Sequence, residues 1–161
     1  MDSSLGTIDI SIERSKYEET TIGVRGKLTC GSGIIYVKPV VEILEKENSI
    51  PIHGLAHIPG GAFTKLLRLN DRVRYNLRNL PSISGIFKQI AVDGPVSLKE
   101  MYRTFNMGVG FCVIAPRESV DTVCKIFRKY HMPCKEIGII DERGRGEVTA
   151  ILDQKQHTLS Y

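Results

Sequence analysis

The 161-residue sequence lacks the marks of a membrane-spanning, secreted or metal-bound protein. No apolar run reaches the roughly 20 residues that a membrane-spanning helix needs. The N-terminus, from Met1 to Leu5, has neither the charged nor the apolar region of a secretory signal. We therefore expect a cytoplasmic protein without membrane contact, and a length typical of one folded unit.

Cysteines are few, and they follow no metal-binding pattern. The four residues share no Cys-x-x-Cys pairing and have no histidine at zinc-finger spacing, so no metal site is predicted. Cys112 falls in an apolar strand and Cys124 on the apolar side of a helix, where free thiols behave as small hydrophobic groups. A nucleophilic role needs a nearby base, and His131 near Cys134 is the one candidate in the sequence. Reduced thiols are the simpler prediction.

The chain is mildly basic, with a formal charge of +4, and the excess lies in its middle. Aromatic residues do not alternate with these basic residues and no nucleic-acid motif accompanies them, so we expect no nucleic-acid partner. A solvated helix face and a positive field that attracts an anionic substrate remain as interpretations. The cluster consists of Lys65, Arg68, Arg72, Arg74 and Arg78.

A glycine pair at Gly60 and Gly61 joins an apolar strand to an amphipathic helix. Glycines without a Cβ let main-chain N–H groups approach an anion, and the first turn of a helix adds unpaired N–H groups. Pro59-Gly60-Gly61 also suits an ordinary strand-to-helix turn, and it matches neither the P-loop nor the dinucleotide pattern. His57, just before the turn, is either a structural group or a binding group.

A second segment, from Thr104 to Gly108, also has two interpretations. It suits a helix C-terminus in which Gly108 supplies a positive φ and Phe105 and Met107 pack inside. Alternatively, Asn106 and its neighbours lie close to the glycine pair, where amide and hydroxyl groups fix a substrate.

Periodicity predicts an α/β fold of the α+β type, a mixed sheet layered with helices. The last two predicted strands are expected to form a hairpin around 142–146. Ser97 and Glu100 have the spacing of a capping box. The predicted strands are 20–24, 34–37, 53–58, 73–77, 109–115, 137–140 and 147–152. The predicted helices are 40–48, 62–69, 84–92 with Ile86 on its apolar face, 97–107 ended by Gly108, and 119–130.

Four blocks carry a family resemblance: "YVKPVVEIL" at 36–44, "GLAHIPGG" at 54–61, "IFKQI" at 86–90 and "EMYRTFNMG" at 100–108. In this order they resemble the C-terminal domain of phosphoribosylformylglycinamidine cyclo-ligase, also called aminoimidazole ribonucleotide synthetase, over about residues 34 to 152. The resemblance implies that family's fold for 34–161, with 1–33 as a remnant of its inter-domain segment and linker.

The resemblance also implies a function in purine biosynthesis. The complete enzymes of the family use ATP and Mg²⁺ to activate a formyl oxygen and close the imidazole ring of formylglycinamidine ribonucleotide. No catalytic residue is assigned on this chain. The residues implied to bind the substrate or its phosphate are His57, Gly60, Gly61, Thr104, Asn106 and Gly108.

The sequence departs from its relatives at two places. Pro59 and Ala62 stand where the family usually has Thr and a third glycine, and proline removes a backbone donor. The short Gly/Ser-rich segment 26–33 stands where relatives have a His-Ser-Asn-Gly motif leading into a long helix, and the family's N-terminal ATP-binding domain is absent as well. We therefore expect either a cyclo-ligase part that needs a separate ATP-binding domain or subunit, or a non-catalytic binding or regulatory module. A homodimer is the other expected partner arrangement.

Overall fold

The computed structural model describes residues 19–25, 34–46, 50–83, 85–142 and 144–160, which are organised by a seven-stranded sheet. The strand order is β2-β4-β1-β5-β3-β6-β7, and among these described strands only the β3–β6 pair is parallel. The predicted mixed sheet layered with helices is confirmed. The strands are β1 Glu19–Arg25, β2 Gly54–His57, β3 Arg74–Leu77, β4 Val109–Pro116, β5 Cys134–Asp141, β6 Glu147–Leu152 and β7 Lys155–Thr158.

The helices cover both faces of this sheet. The α-helices are α1 Val37–Leu44, α2 Gly85–Asp93, α3 Leu98–Thr104 and α4 Val120–Lys129. Two 3₁₀ helices cover Ala62–Arg68 and Arg117–Ser119. The predicted cap of α3 is confirmed, because the Glu100 N–H donates to Ser97 Oγ at 3.3 Å.

Strand β4 explains why the sheet needs two helical layers. All eight of its residues are buried, and the side chains from Phe111 to Ala115 alternate between the two faces. Phe111 and Val113 join a cluster with Ile43 of α1 and Phe127 of α4. Cys112 and Ile114 join the cluster on the other face, which contains the first 3₁₀ helix, α2 and α3. The uninterrupted apolar run of β4 therefore contributes to two cores.

The predicted strand at 34–37 is wrong, because α1 begins at Val37. Proline fits the first turn of a helix, where the backbone N–H has no intrahelical acceptor, so Pro39 does not prevent an early start. The helix ends at Leu44, and the predicted end near Asn48 lies outside the described residues.

The predicted hairpin between the last two strands is also wrong. Strand β3 lies between β5 and β6, antiparallel to the first and parallel to the second. Arg74 faces Asp141 and Glu147 across these pairings, and its guanidinium lies 3.8 Å and 2.5 Å from their carboxylates. Strand β6 instead forms a hairpin with β7, through Asp153 and Gln154 at φ of 48° and 64°.

Three smaller differences concern element ends and faces. Helix α3 ends at Thr104 with Phe105 as its C-cap, several residues before Gly108. Ile86 is 48% exposed, so it does not share the apolar face of α2 with Phe87. Strand β1 lies between β4 and β5, which places a strand of the predicted 1–33 segment inside the sheet. The boundary at residue 33 stays a prediction.

Candidate functional site

The glycine turn, residues 59–62, connects β2 to the first 3₁₀ helix. Gly61 and Ala62 lie in the left-handed region, at φ of 81° and 45°. The Ala62 N–H donates to the Pro59 carbonyl at 3.2 Å, and the Thr64 hydroxyl donates to the Gly61 carbonyl at 2.6 Å. The turn is therefore tight and closed by its own hydrogen bonds, as the structural interpretation of the sequence predicted.

The glycine turn contacts the end of α3 directly. The Gly61 N–H donates to the Thr104 carbonyl at 3.3 Å. Beside this bond, the rings of Phe63 and Tyr102 stack with their centroids 6.3 Å apart. The predicted closeness of the two sequence segments is confirmed by these contacts.

Only a small part of the expected set of backbone donors faces outward. Proline at 59 has no N–H, and the N–H groups of Gly61 and Ala62 bond within the protein. Gly60 is exposed, a Cβ added to it would meet no atom within 4 Å, and among the described residues its N–H has no acceptor. The helix that follows, predicted over 62–69, is a 3₁₀ helix of seven residues. One open donor remains at the turn.

Lys65 brings a positive charge to the glycine turn. Its Cε lies 3.5 Å from the position that a Cβ on Gly61 would take, so its stem runs along the turn. Arg74, from the same predicted basic cluster, is instead paired with Glu147 across the sheet. Lys65 and Arg74, two members of the predicted cluster, therefore have different surroundings. Sequence spacing alone does not show this difference.

His57 is exposed at the end of β2, directly before the glycine turn. Its ring centroid lies 6.0 Å from that of Tyr36, which also packs on Phe111 at 5.2 Å. A Cβ on Gly110 would overlap the Tyr36 hydroxyl, so this position needs a glycine to admit the tyrosine ring. Burial raises the pKa of Tyr36 above its ordinary value. Tyr36 is thus a neighbour of His57 that the sequence motif for the turn did not include.

The asparagine turn, residues 106–108, connects α3 to β4. Asn106 Oδ1 accepts a hydrogen bond from the Gly108 N–H at 3.0 Å, and the Asn106 carbonyl accepts from the Val109 N–H at 2.9 Å. Met107 and Gly108 have φ of 49° and 91°, and Met107 is buried. The acceptor groups of Asn106 therefore maintain the turn.

The Thr104 side chain is committed to its own helix. Its hydroxyl lies 3.1 Å from Glu100 Oε1, and the other oxygen of this carboxylate lies 3.5 Å from Arg103 Nη1. The carbonyl of Thr104, not its hydroxyl, makes the link to the glycine turn. The six predicted residues thus divide into open groups at His57 and Gly60 and structural groups at the other four positions.

These groups fit the binding of an anion. An N–H donor without an acceptor, on an exposed glycine beside a lysine, suits a phosphate or carboxylate, because hydrogen bonds to charged acceptors are stronger than neutral ones. The described residues contain no group of three His, Cys, Asp or Glu side chains that would hold a metal ion. Nor does any described helix combine the length and apolar character needed to cross a membrane. The turn thus offers one hydrogen-bond donor beside a positive charge.

Comparison with known sequences gives a consistent set of relatives. The family described as AIR synthase related protein, C-terminal domain, matches residues 34–151. The phosphoribosylformylglycinamidine cyclo-ligase of Methanocaldococcus jannaschii is 53% identical over 104 residues, which cover 65% of this chain and 29% of that protein. The protein of the same name from Methanococcus vannielii is 42% identical over 135 residues, with 78% and 38% coverage. The chain spans about a third of the length of these curated relatives.

Solved structures share the fold at low sequence identity. The hydrogenase maturation protein HypE superposes with a TM-score of 0.66 at 13% identity, covering 91% of this chain and 54% of that one. T. maritima PurL complexed with FGAR gives 0.56 at 9% identity, covering 88% and 27%. At these identities, both similarities show a shared fold of the sheet and its helices and nothing about function.

Proposed function

The chain belongs to the AIR synthase related family through its C-terminal domain, and we propose that it is the substrate-holding part of a phosphoribosylformylglycinamidine cyclo-ligase. The reaction proposed is the ATP-dependent ring closure of formylglycinamidine ribonucleotide in purine nucleotide biosynthesis. The identity of 53% to a relative of that name supports this assignment. The relative is longer, so the chain contributes a part of the activity.

The observation that carries the proposal is the open glycine turn beside Lys65. A substrate phosphate placed over Gly60 accepts a hydrogen bond from its N–H and lies within the positive field of the Lys65 ammonium. The Gly61–Thr104 hydrogen bond and the Phe63–Tyr102 contact hold this turn against α3, so its donor is oriented before the ligand arrives. His57 and Tyr36 lie next to the same end of β2 and would form one side of the proposed phosphate position.

The described residues do not fit the magnesium ion that the family's complete enzymes use, because they contain no suitable group of ligands. We propose that ATP and Mg²⁺ bind to a separate ATP-binding domain or subunit. The role of the present chain is then to hold and orient the nucleotide, and positioning of this kind lowers the entropic part of a reaction barrier.

A second candidate function is a non-catalytic binding or regulatory module. It is favoured by the commitment of the Gly61 and Ala62 N–H groups inside the protein and by the missing N–H of Pro59. A turn with one open donor grips an anion less firmly than a loop with three, yet it still recognises one.

A reconstitution experiment separates the two candidates. The chain is mixed with the isolated ATP-binding part of the M. jannaschii relative, and phosphate release is measured with formylglycinamidine ribonucleotide and ATP. Turnover that needs both proteins supports the cyclo-ligase proposal. Gly60→Val should reduce it, whereas the control Gly85→Val should not, because a Cβ at either glycine meets open space and only Gly60 lies in the turn.

The other outcomes are equally informative. Saturable nucleotide binding without turnover in any mixture supports the binding or regulatory module. Absence of both turnover and binding contradicts both candidate functions, and family membership is then the conclusion that remains.

We also propose that the chain works in the cytoplasm with a phosphorylated ribonucleotide as its small-molecule partner. Analytical ultracentrifugation of the chain alone, and then with the ATP-binding part, tests the partner arrangement. We expect either a homodimer in the sample of the chain by itself or a complex that forms only when the ATP-binding part is added. A monomer in both samples contradicts the proposal that the chain has a stable protein partner.

A further inference from the structure

Two buried cysteines meet where α4 and β5 pack together. The Sγ atoms of Cys124 and Cys134 lie 3.0 Å apart, and both residues are buried thiols. A disulfide bond is about 2 Å long, so a small approach of the two sulfurs would join them. The third described cysteine, Cys112, belongs to the hydrophobic cluster on the other face of the sheet.

The backbone between the two cysteines is held in place. The N–H groups of Tyr130 and Met132 donate to the Phe127 carbonyl, each at 3.0 Å, and His131 adopts a φ of 59° in the turn. These bonds return the chain from the end of α4 to the start of β5. The short distance between the sulfurs is thus a property of a structured turn.

Arg128 links the same two elements a second time. Its Nη2 donates to the Cys134 carbonyl at 3.2 Å. The hydrogen bond with the Cys134 thiol lowers the pKa of Cys124, burial opposes this change, and the nearby Arg128 charge lowers the pKa further. A thiol with a lowered pKa has more of the thiolate form, which is the form that reacts with oxidants.

A cavity lies next to one of the two cysteines, Cys134, and Cys124 is not among its lining residues. It has a volume of about 270 Å³, and Cys134 forms part of its wall. Its lining also includes Gly23, Pro81, Ser82, Val109 and Lys135. A peroxide is far smaller than this space, whereas a folded oxidoreductase is not.

We propose that Cys124 and Cys134 are a redox modification site that forms a reversible disulfide when the chain meets a peroxide. The Cys124 thiolate attacks one peroxide oxygen, which gives a sulfenic acid and releases hydroxide. The Cys134 thiol then attacks the sulfenic sulfur, and water leaves as the S–S bond forms. The two sulfurs together lose two electrons, which reduce the peroxide, and a thiol reductant reverses the step.

The bond would join the middle of α4 to the first residue of β5, which pairs with the interior strand β1. It closes a short loop that the hydrogen bonds of Tyr130 and Met132 already shape. A disulfide stabilises a protein chiefly by restricting its unfolded chain. We therefore expect oxidation to stiffen this face of the domain without changing its fold. This inference does not depend on the proposed cyclo-ligase function.

The test is peptide mapping of the unmutated chain after treatment with hydrogen peroxide. We expect a cross-linked peptide containing Cys124 and Cys134, a loss of two hydrogen atoms by intact mass, and full reversal by dithiothreitol. Separate Cys124 and Cys134 peptides, or pairing of either with Cys30 or Cys112, overturn the proposal. This measurement needs no variant, so a folding defect cannot obscure it.

Variants and thermal unfolding provide the second measurement. Oxidation should raise the midpoint of the unmutated chain by roughly 5 to 10 °C, the size expected for a disulfide closing a short loop. Cys124→Ala and Cys134→Ala should abolish the rise, and Cys112→Ala should keep it. A midpoint that is unchanged or falls on oxidation contradicts the proposal.

Discussion

The glycine turn and the asparagine turn share a backbone conformation but differ in the hydrogen bonds that close them. Each places two consecutive residues in the left-handed region, Gly61 and Ala62 in one and Met107 and Gly108 in the other. The asparagine turn is closed by the Asn106 side chain, whereas in the glycine turn the Gly60 N–H has no acceptor among the described residues. A glycine-rich motif therefore becomes a candidate site only where a donor is left over after the turn has made its own bonds.

The largest effect should come from breaking the ring contact that holds the glycine turn against α3. Phe63→Ala removes a fully buried ring stacked on Tyr102 and should lower the free energy of unfolding by about 3 to 5 kcal/mol. Urea denaturation measures this loss. Phe105→Ala, which truncates a half-buried ring, should cost less, and an equal cost for both variants would contradict the central position of Phe63.

The glycine turn itself should tolerate a side chain at one glycine and not at the other. Gly61→Val forces a β-branched residue into a φ of 81° and should cost about 1 to 3 kcal/mol of unfolding free energy. Gly60→Val meets open space and should stay within about 0.5 kcal/mol of the unmutated chain. Equal destabilisation by both variants in denaturant titrations would show that the turn is not built as described.

The asparagine turn should depend on its acceptor atom. Asn106→Leu leaves the Gly108 N–H without its side-chain partner and should cost about 1 kcal/mol of unfolding free energy. Asn106→Asp keeps an acceptor at the same place and should retain most of the stability. A leucine variant as stable as the aspartate variant would indicate that the hydrogen bond is not needed.

The opposite face of the sheet provides a pH-dependent contrast with both turns. Glu42 on α1 accepts hydrogen bonds from Lys129 at 2.8 Å and Tyr130 at 2.7 Å. The bond from Lys129, followed by that from Tyr130, lowers the pKa of Glu42 from 4.5 to about 2. A lowered folded-state pKa stabilises the fold above the unfolded pKa, and this contribution disappears as the pH falls from near 4.5 to about 2.

Thermal unfolding at several pH values checks this sign. The unmutated chain should unfold at a higher temperature than Glu42→Gln near neutral pH, and the difference should shrink as the pH approaches 2. Because the carboxylate is near the surface, the difference should be the smallest of the four effects. A difference that grows as the pH falls would contradict the ion pair between α1 and α4.

Local patterns in the sequence predicted the elements that build the core. The alternation of Val73, Tyr75 and Leu77 predicted β3, and all three side chains are buried. The apolar run beginning at Val109 predicted β4, and the Ser97 cap predicted the start of α3. These signals are readable because side-chain period and capping depend on neighbouring residues only.

Contacts between distant segments were not readable in the same way. Nothing in the local pattern places β3 between β5 and β6, and the pairing of Arg74 with two carboxylates becomes evident only in the sheet. Likewise, the use of the Gly61 N–H by the Thr104 carbonyl depends on a contact between two separate helices. The glycine motif predicted the position of the candidate site, and the hydrogen bonds of the folded chain determine which of its N–H donors has no acceptor.

The most direct test of the proposed site is calorimetric titration of formylglycinamidine ribonucleotide into three proteins: the unmutated chain, Gly60→Val and Gly85→Val. We predict saturable binding to the unmutated chain and to Gly85→Val. The dissociation constant for Gly60→Val should be about tenfold higher or more, because the valine side chain covers the N–H donor beside Lys65. Equal binding by all three proteins, or no heat from any of them, would contradict a phosphate site at the glycine turn.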